Sequence, residues 1–131
     1  MNKDLTLLLG RLGLGLIFIL SALGKFKTFG GIATMLAEQK HLPAATLLLG
    51  VAVFLEVAGG LSVLAGFKTR IGAVLLIIFL VPVTLVMHNF WAFQGAEQMN
   101  QMANFLKNVS IGGGLLLLHA SGPGKYSVDK Q

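Results

Sequence analysis

Residues 44–66 read Ala44-Ala45-Thr46-Leu47-Leu48-Leu49-Gly50-Val51-Ala52-Val53-Phe54-Leu55-Glu56-Val57-Ala58-Gly59-Gly60-Leu61-Ser62-Val63-Leu64-Ala65-Gly66. The run carries one charge, Glu56, near its middle. As a helix it is about 34 Å long at 1.5 Å per residue, enough to cross the hydrocarbon core of a bilayer. An ionisable group at mid-depth costs roughly 2.5–3.5 kcal/mol on insertion scales, so it faces protein or water and finds a partner. Ala52, Gly59 and Gly60 lie three or four residues from Glu56 and share its face. Small residues there let a neighbouring helix approach closely. Glu56 is therefore expected to point into a helix bundle, and Arg11 is the partner the sequence offers.

Composition agrees with a membrane setting. The chain has 131 residues, 55% hydrophobic and 11% charged, with mean hydropathy +0.81. Soluble domains carry about 25% charged residues. The length allows a single domain, residues 1–131. There are no cysteines, which excludes disulfides within the chain, cysteine-ligated clusters and thioether-linked haem. The net charge of +5 comes from basic residues flanking apolar runs singly or in pairs, where they anchor helices at an interface. No basic stripe or recognition motif accompanies it, so nucleic acid is not an expected partner and the lipid bilayer is.

Outward from the central run, the first span is expected over residues 5–24. Asn2-Lys3-Asp4 before it and Ala22-Leu23-Gly24 at its end also fit a signal peptide, but Arg11 inside the run and further spans downstream favour a retained helix. Arg11, Gly15, Phe18, Ala22 and Lys25 fall on one face of it. Ile32, Met35 and Leu36 have helical spacing in a mixed stretch, read as a short helix at the interface. His41-Leu42-Pro43 turns the chain into the second span, 45–66. The third, 70–88, contains Pro82, which membrane helices tolerate as a kink. Residues 89–103 are polar, with Phe90, Trp91 and Phe93 among them. The fourth span, 104–120, places Asn104, Asn108, Gly112, Leu115 and His119 on one face. Gly112-Gly113-Gly114 reads as a packing face and not a phosphate loop, since no strand precedes it. The tail from Ser121 has turn chemistry and little to bury. The expected architecture is all-α: a transmembrane four-helix bundle with a short interfacial helix between helices one and two.

Four spans put both termini on one side, with Lys3, Lys68, Arg70, Lys125 and Lys130. The other side has Lys25, Lys27 and Lys40, with Lys107 just inside the fourth span. The positive-inside rule then places the termini in the cytoplasm.

Lys25, His88, Trp91, Asn104 and Asn108 all fall toward the end away from the termini. With Glu56 as floor they form an expected ligand-binding set in an apolar hollow. Each has a structural alternative. Arg11–Glu56 fixes helix register as readily as it serves a site; Lys25 snorkels to headgroups; His88 ends its helix; Trp91 belongs to an aromatic belt; Asn104 and Asn108 bond across helices. No metal site is expected: His88 and His119 lie at opposite ends, and no carboxylate or second histidine stands at ligand spacing from His41 or His88.

Four fragments stand out: Arg11-Leu12-Gly13-Leu14-Gly15-Leu16-Ile17-Phe18 followed by Gly24-Lys25-Phe26; Leu55-Glu56-Val57-Ala58-Gly59-Gly60 followed by Leu64-Ala65-Gly66-Phe67-Lys68-Thr69-Arg70; His88-Asn89-Phe90-Trp91; and Asn104 through Gly114 with the Ser121-Gly122-Pro123-Gly124 tail. Together they resemble the DoxX family. In order and spacing they cover nearly the whole chain, and Asn104 through Gly114 with the Ser121-Gly122-Pro123-Gly124 tail is similar to small inner-membrane proteins within that family. Arg11, Lys25, Glu56, His88 and Asn108 fall on its pattern. The resemblance implies a multi-pass protein of the bacterial inner membrane. It also implies membrane redox or oxidative-stress chemistry involving a quinone or small phenol. The chain has no cysteine and no haem-ligand pair, so no intrinsic cofactor is expected and any redox work would need a quinone or a partner's cofactor. No complete catalytic constellation is visible, so enzymatic activity is left open. The expected function is a quinone- or small-phenol-binding subunit. Its rivals are a non-catalytic scaffold docking a redox partner protein and a small organic-anion transporter, the last weakened by the lack of any inverted repeat.

Overall fold

A computed structural model describes residues 1–130. Its helices are α1 (Lys3–Lys27), α2 (Phe29–Glu38), α3 (Ala45–Ala65), α4 (Thr69–Met87) and α5 (Gly95–Ser121), with a 3-10 turn at Phe90–Ala92 before α5. The described residues contain no strand. α1, α3 and α4 are long and apolar enough to cross a membrane. α5 is more polar and starts at Gly95, earlier than the 104 expected from hydropathy. Its first turns carry Glu97, Gln98, Asn100 and Gln101, which form a good helix above the apolar part. The hydropathy boundary marks where the side chains change, not where the backbone does.

α1, α3, α4 and α5 run up, down, up and down, each packed along the previous one of the four. Gly15 faces Gly60 and Leu64 where α1 crosses α3, and Gly59 faces Gly72 and Leu76 where α3 crosses α4. A Cβ on Gly59 would stand 3.0 Å from the Gly72 carbonyl oxygen and 2.7 Å from Leu76 Cγ, so the backbones approach as only small residues permit. Phe18, Val63, Ala73, Leu76, Phe79, Leu80, Leu115 and Leu118 form the core. Phe18 and Phe79 meet edge to face, centroids 6.1 Å apart. α2 covers the end of the bundle away from the termini, burying Ala33 and Leu36 against Ala45 and Leu49.

The outside is coated with exposed leucine, isoleucine, valine and phenylalanine, including Leu9, Leu16, Leu20, Phe54, Leu61, Ile78, Val81, Leu116 and Leu117. Such a continuous apolar surface belongs in lipid.

The tail departs from expectation. Gly122, Pro123 and Gly124 are buried, and the segment is tied to α1 and α3. Val128 and Asp129 donate backbone N–H groups to the carbonyls of Ala65 and Gly66, at 3.1 and 3.0 Å. Lys125 N–H donates to the Asp4 carboxylate at 3.1 Å. The expectation of little to bury fails because the turns fold the chain back over the mouth of the bundle, where α1 begins and α3 ends.

Candidate functional site

Glu56 is buried, as expected, but Arg11 is not its partner. Lys25 Nζ stands 3.1 Å from Glu56 Oε1 and 3.0 Å from Oε2. The reason lies in how helical side chains lean. Cα–Cβ bonds tilt toward the helix N-terminus, and long side chains follow. α1 starts on the terminal side, so Arg11 leans outward to that side and Lys25 leans back into the bundle. α3 runs the other way, so Glu56 leans toward the far side and meets Lys25. Counting residues along the axes misses this, because Arg11 and Glu56 point away from each other.

Arg11, 1% exposed, closes the end of α3. Its Nη1 donates to the carbonyls of Val63 at 3.2 Å and Leu64 at 2.7 Å, and Nη2 donates to the Tyr126 carbonyl of the tail. A guanidinium at a helix C-terminus satisfies orphan carbonyls and complements the helix dipole. Val63 lies about 10 Å along α3 from Glu56, so the two charges serve different ends of the helix. Gly66, with φ of 71°, ends α3 in a left-handed conformation and leaves room for the Arg11 fork and Ser127.

The Lys25 ammonium is held from four sides. It donates to Glu56 Oε1 and to Ser21 Oγ at 2.6 Å, lies in ionic contact with Oε2, and stands 5.3 Å above the Phe79 ring centroid. An ammonium has three N–H groups, and three acceptors are in reach. Glu56 is 1% exposed and Lys25 22%, so the pair is sealed on the α3 side and open on the other. The snorkelling alternative is thereby overturned: Lys25 turns inward.

What it opens onto is a cavity of about 530 Å³ in the seam between α1 and α5. These helices touch lightly, with Leu14 packing toward Gly114 on the terminal side of the seam. Toward the far side they part. The walls are apolar, from Leu16, Ile17, Leu20, Val83 and Ile111, and the polar groups are Ser21, Lys25, Glu56, His88, Lys107 and Asn108. Leu16 and Leu20 belong to the exposed coat, so the cavity opens sideways, toward the lipid-facing surface.

Asn108 is buried and donates Nδ2–H to Thr84 Oγ1 at 3.0 Å, while Thr84 donates to the Leu80 carbonyl at 2.6 Å. This ties α5 to α4 beside the cavity. Thr84→Val should cost about 1 kcal/mol in a mixed-micelle unfolding titration, because it removes one interhelical hydrogen bond and keeps the shape. His88 ends α4 and lines the cavity. Its Nδ1 is 2.8 Å from Gln101 Oε1, and Gln101 in turn donates to Glu97. With that carbonyl oxygen as acceptor, Nδ1 carries the proton and a neutral ring keeps Nε2 as an acceptor.

Trp91 and Asn104 lie apart from this set. Trp91, 58% exposed, packs edgewise on Phe90 and Phe105 at centroid distances of 5.4 and 6.3 Å. That is the position of an aromatic belt residue. Asn104 donates to the Asn100 carbonyl and accepts from Lys107 at 3.1 Å. The cavity therefore gathers Lys25, Glu56, His88 and Asn108 from the expected set, and adds Ser21 and Lys107. Ser21 was legible in principle, since it lies one turn before Lys25 on the same helix face. Lys107, just inside the fourth span, has no sequence signal that sets it apart from an interfacial lysine.

The fold and the site together define a polytopic helical membrane protein with a buried carboxylate, Glu56, neutralised on the wall of a laterally open cavity. Comparison with known sequences gives this class a name. The sequence profile of the DoxX family matches residues 6–89, and the chain belongs to that family. It is 35% identical to the inner membrane protein YphA of Escherichia coli over 129 residues, covering 98% of this chain and 91% of that protein. Identity to inner membrane protein YqjF of the same organism is 33% over 128 residues, with 98% and 92% covered. The uncharacterized membrane protein Rv3486 of Mycobacterium tuberculosis is 32% identical over 127 residues, with 92% and 77% covered. No solved structure gives a significant match. The chain is thus a multi-pass protein of the bacterial inner membrane.

Proposed function

We propose that the protein is a membrane subunit that binds a quinone or small phenol in the α1/α5 cavity, in the service of redox or oxidative-stress chemistry performed with a partner. The observation that carries this reading is the cavity itself. Its volume of about 530 Å³ falls among small-molecule sites, and its walls are apolar with a few convergent polar groups. Its side opening suits a ligand that partitions into lipid. Ring oxygens would meet Asn108, Lys107 and the exposed side of Lys25. A neutral His88 offers an acceptor, which suits the hydroxyl of a phenol or quinol; a donor to a quinone oxygen would require the imidazolium. The protein supplies no redox cofactor of its own in this account, so electrons come from the partner. In the same reading α5 makes the fourth crossing, and the termini lie in the cytoplasm with Lys3, Lys68, Arg70, Lys125 and Lys130.

Titration of a short-chain quinone against the purified protein in nanodiscs tests this, and saturable binding is expected. Gly13→Leu is the informative variant. A Cβ on Gly13 meets nothing within 4 Å, and the residue lines the cavity, so leucine fills space without a clash. It should weaken binding about ten-fold or more while thermal stability holds or rises, since glycine inside a helix is itself unfavourable. Absence of saturable binding in the wild type, or full binding in Gly13→Leu, would overturn the proposal.

A scaffold role for docking a redox enzyme draws on one specific feature: the Lys25 donors are all within reach of acceptors from the protein itself. A clasp of that kind needs no ligand. Extraction in gentle detergent separates the readings, since the scaffold requires a stoichiometric partner and no ligand in the cavity.

A further inference from the structure

The charges around the cavity do not cancel. Lys25 and Glu56 neutralise each other at 3.0 Å. Lys107 on α5 is left over: it lines the same cavity, and its Nζ is bonded only to the neutral Asn104 side chain among the described residues. The other titratable group facing the cavity is His88, which is held through Nδ1 by Gln101. The lining from α1, α3, α4 and α5 therefore contains two ammonium groups and one carboxylate. An apolar cavity with one uncompensated positive charge at its mouth is completed by a ligand with one negative charge.

We propose, resting on the reading above, that the cavity takes its phenolic ligand in the anionic form, with the phenolate oxygen paired to Lys107 and the ring between Ile17, Val83 and Ile111. Lys107 lies one helical turn before Ile111 on α5, so charge and ring contacts come from one face of one helix. The oxygen then gains a charge-assisted hydrogen bond at the mouth, and the ring stays out of water. A neutral ether of the same shape keeps the ring contacts and loses the charge. Lys107 is thus a specificity-determining residue, selecting acidic phenols over neutral aromatics.

The test compares 4-nitrophenol with its neutral isostere 4-nitroanisole, titrated against the wild-type protein in zwitterionic nanodiscs. The phenolate also absorbs at longer wavelength than the phenol, which reports the ionisation state of the bound ligand. The expected result is that nitrophenol binds about ten-fold or more tightly than nitroanisole, the scale of one charge-assisted hydrogen bond. It should bind with the phenolate spectrum at a pH where the free compound is mostly protonated. Lys107→Gln should bring the ratio close to one by weakening the phenolate. Equal binding of the two compounds by wild type overturns the anionic preference and leaves a ring-binding cavity standing. Binding of neither overturns the phenolate assignment, and the quinone titration above decides separately whether the cavity reading falls with it. Retention of the preference in Lys107→Gln also overturns the assignment. So does loss of nitrophenol binding when anionic phosphatidylglycerol is added to the nanodisc, which would give Lys107 to a lipid phosphate.

Discussion

Replacing Glu56 with leucine should destabilise the protein by about 3–5 kcal/mol, the usual cost of leaving one partner of a buried ion pair uncompensated. The stranded group is Lys25, whose ammonium would keep only Ser21 and the Phe79 face in an apolar setting. Lys25→Met should cost a similar amount by stranding the carboxylate, which is 1% exposed and has no route to water through α3. Removing both charges, in Lys25→Met with Glu56→Leu, should recover most of the loss, because well-packed apolar replacements of buried pairs are often neutral or stabilising. The three proteins can be ranked by denaturant titration in mixed micelles. A near-wild-type Glu56→Leu would mean that the carboxylate is not held where the structure holds it. Recovered stability need not bring recovered ligand binding, since the pair also forms one wall of the cavity.

The second large effect is expected at Arg11. Arg11→Met removes three hydrogen bonds from one buried guanidinium to carbonyls of Val63, Leu64 and Tyr126. The expected loss is about 2–4 kcal/mol, since hydrogen bonds to charged groups contribute about 1.5–3 kcal/mol each and the orphaned carbonyls regain part of this from water. The loss should be local in a way that proteolysis can see. With its Tyr126 anchor gone, the tail beyond Ser121 should become a cleavage site in proteoliposomes opened to the terminal side. Arg11→Lys should fall between the two, because an ammonium keeps the charge and cannot fork across carbonyls of two segments. A tail that stays protected in Arg11→Met would show that its backbone bonds to Ala65 and Gly66 suffice alone.

These two residues also show what the sequence discloses and what it withholds. The face of α1 was legible: Arg11, Gly15, Phe18 and Ala22 share a helical stripe and are all buried. So was the burial of Glu56 with Gly59 and Gly60, because periodicity and small residues report helix packing directly. The pairing was not legible from depth alone. Arg11 and Lys25 lie on the same stripe, and only the N-terminal lean of side chains on antiparallel helices decides which of them meets Glu56. The tail was withheld for a different reason. Its contacts are made by backbone groups of residues 125–129 on the ends of other helices, and a backbone hydrogen bond leaves no signature in side-chain pattern. The cavity depends on α1 and α5 failing to close, a tertiary property to which Gly13, Ile17 and Lys107 each contribute without standing out alone.

The most direct measurement is a pair of double-mutant cycles on unfolding free energy, one joining Lys25→Met with Glu56→Leu and the other joining Arg11→Met with Glu56→Leu. The first should give a coupling of about 2 kcal/mol or more, and the second should be additive within about 0.5 kcal/mol, as for groups more than 7–10 Å apart. Strong coupling of Glu56 to Arg11, with none to Lys25, would contradict the placement of the ion pair on the cavity wall.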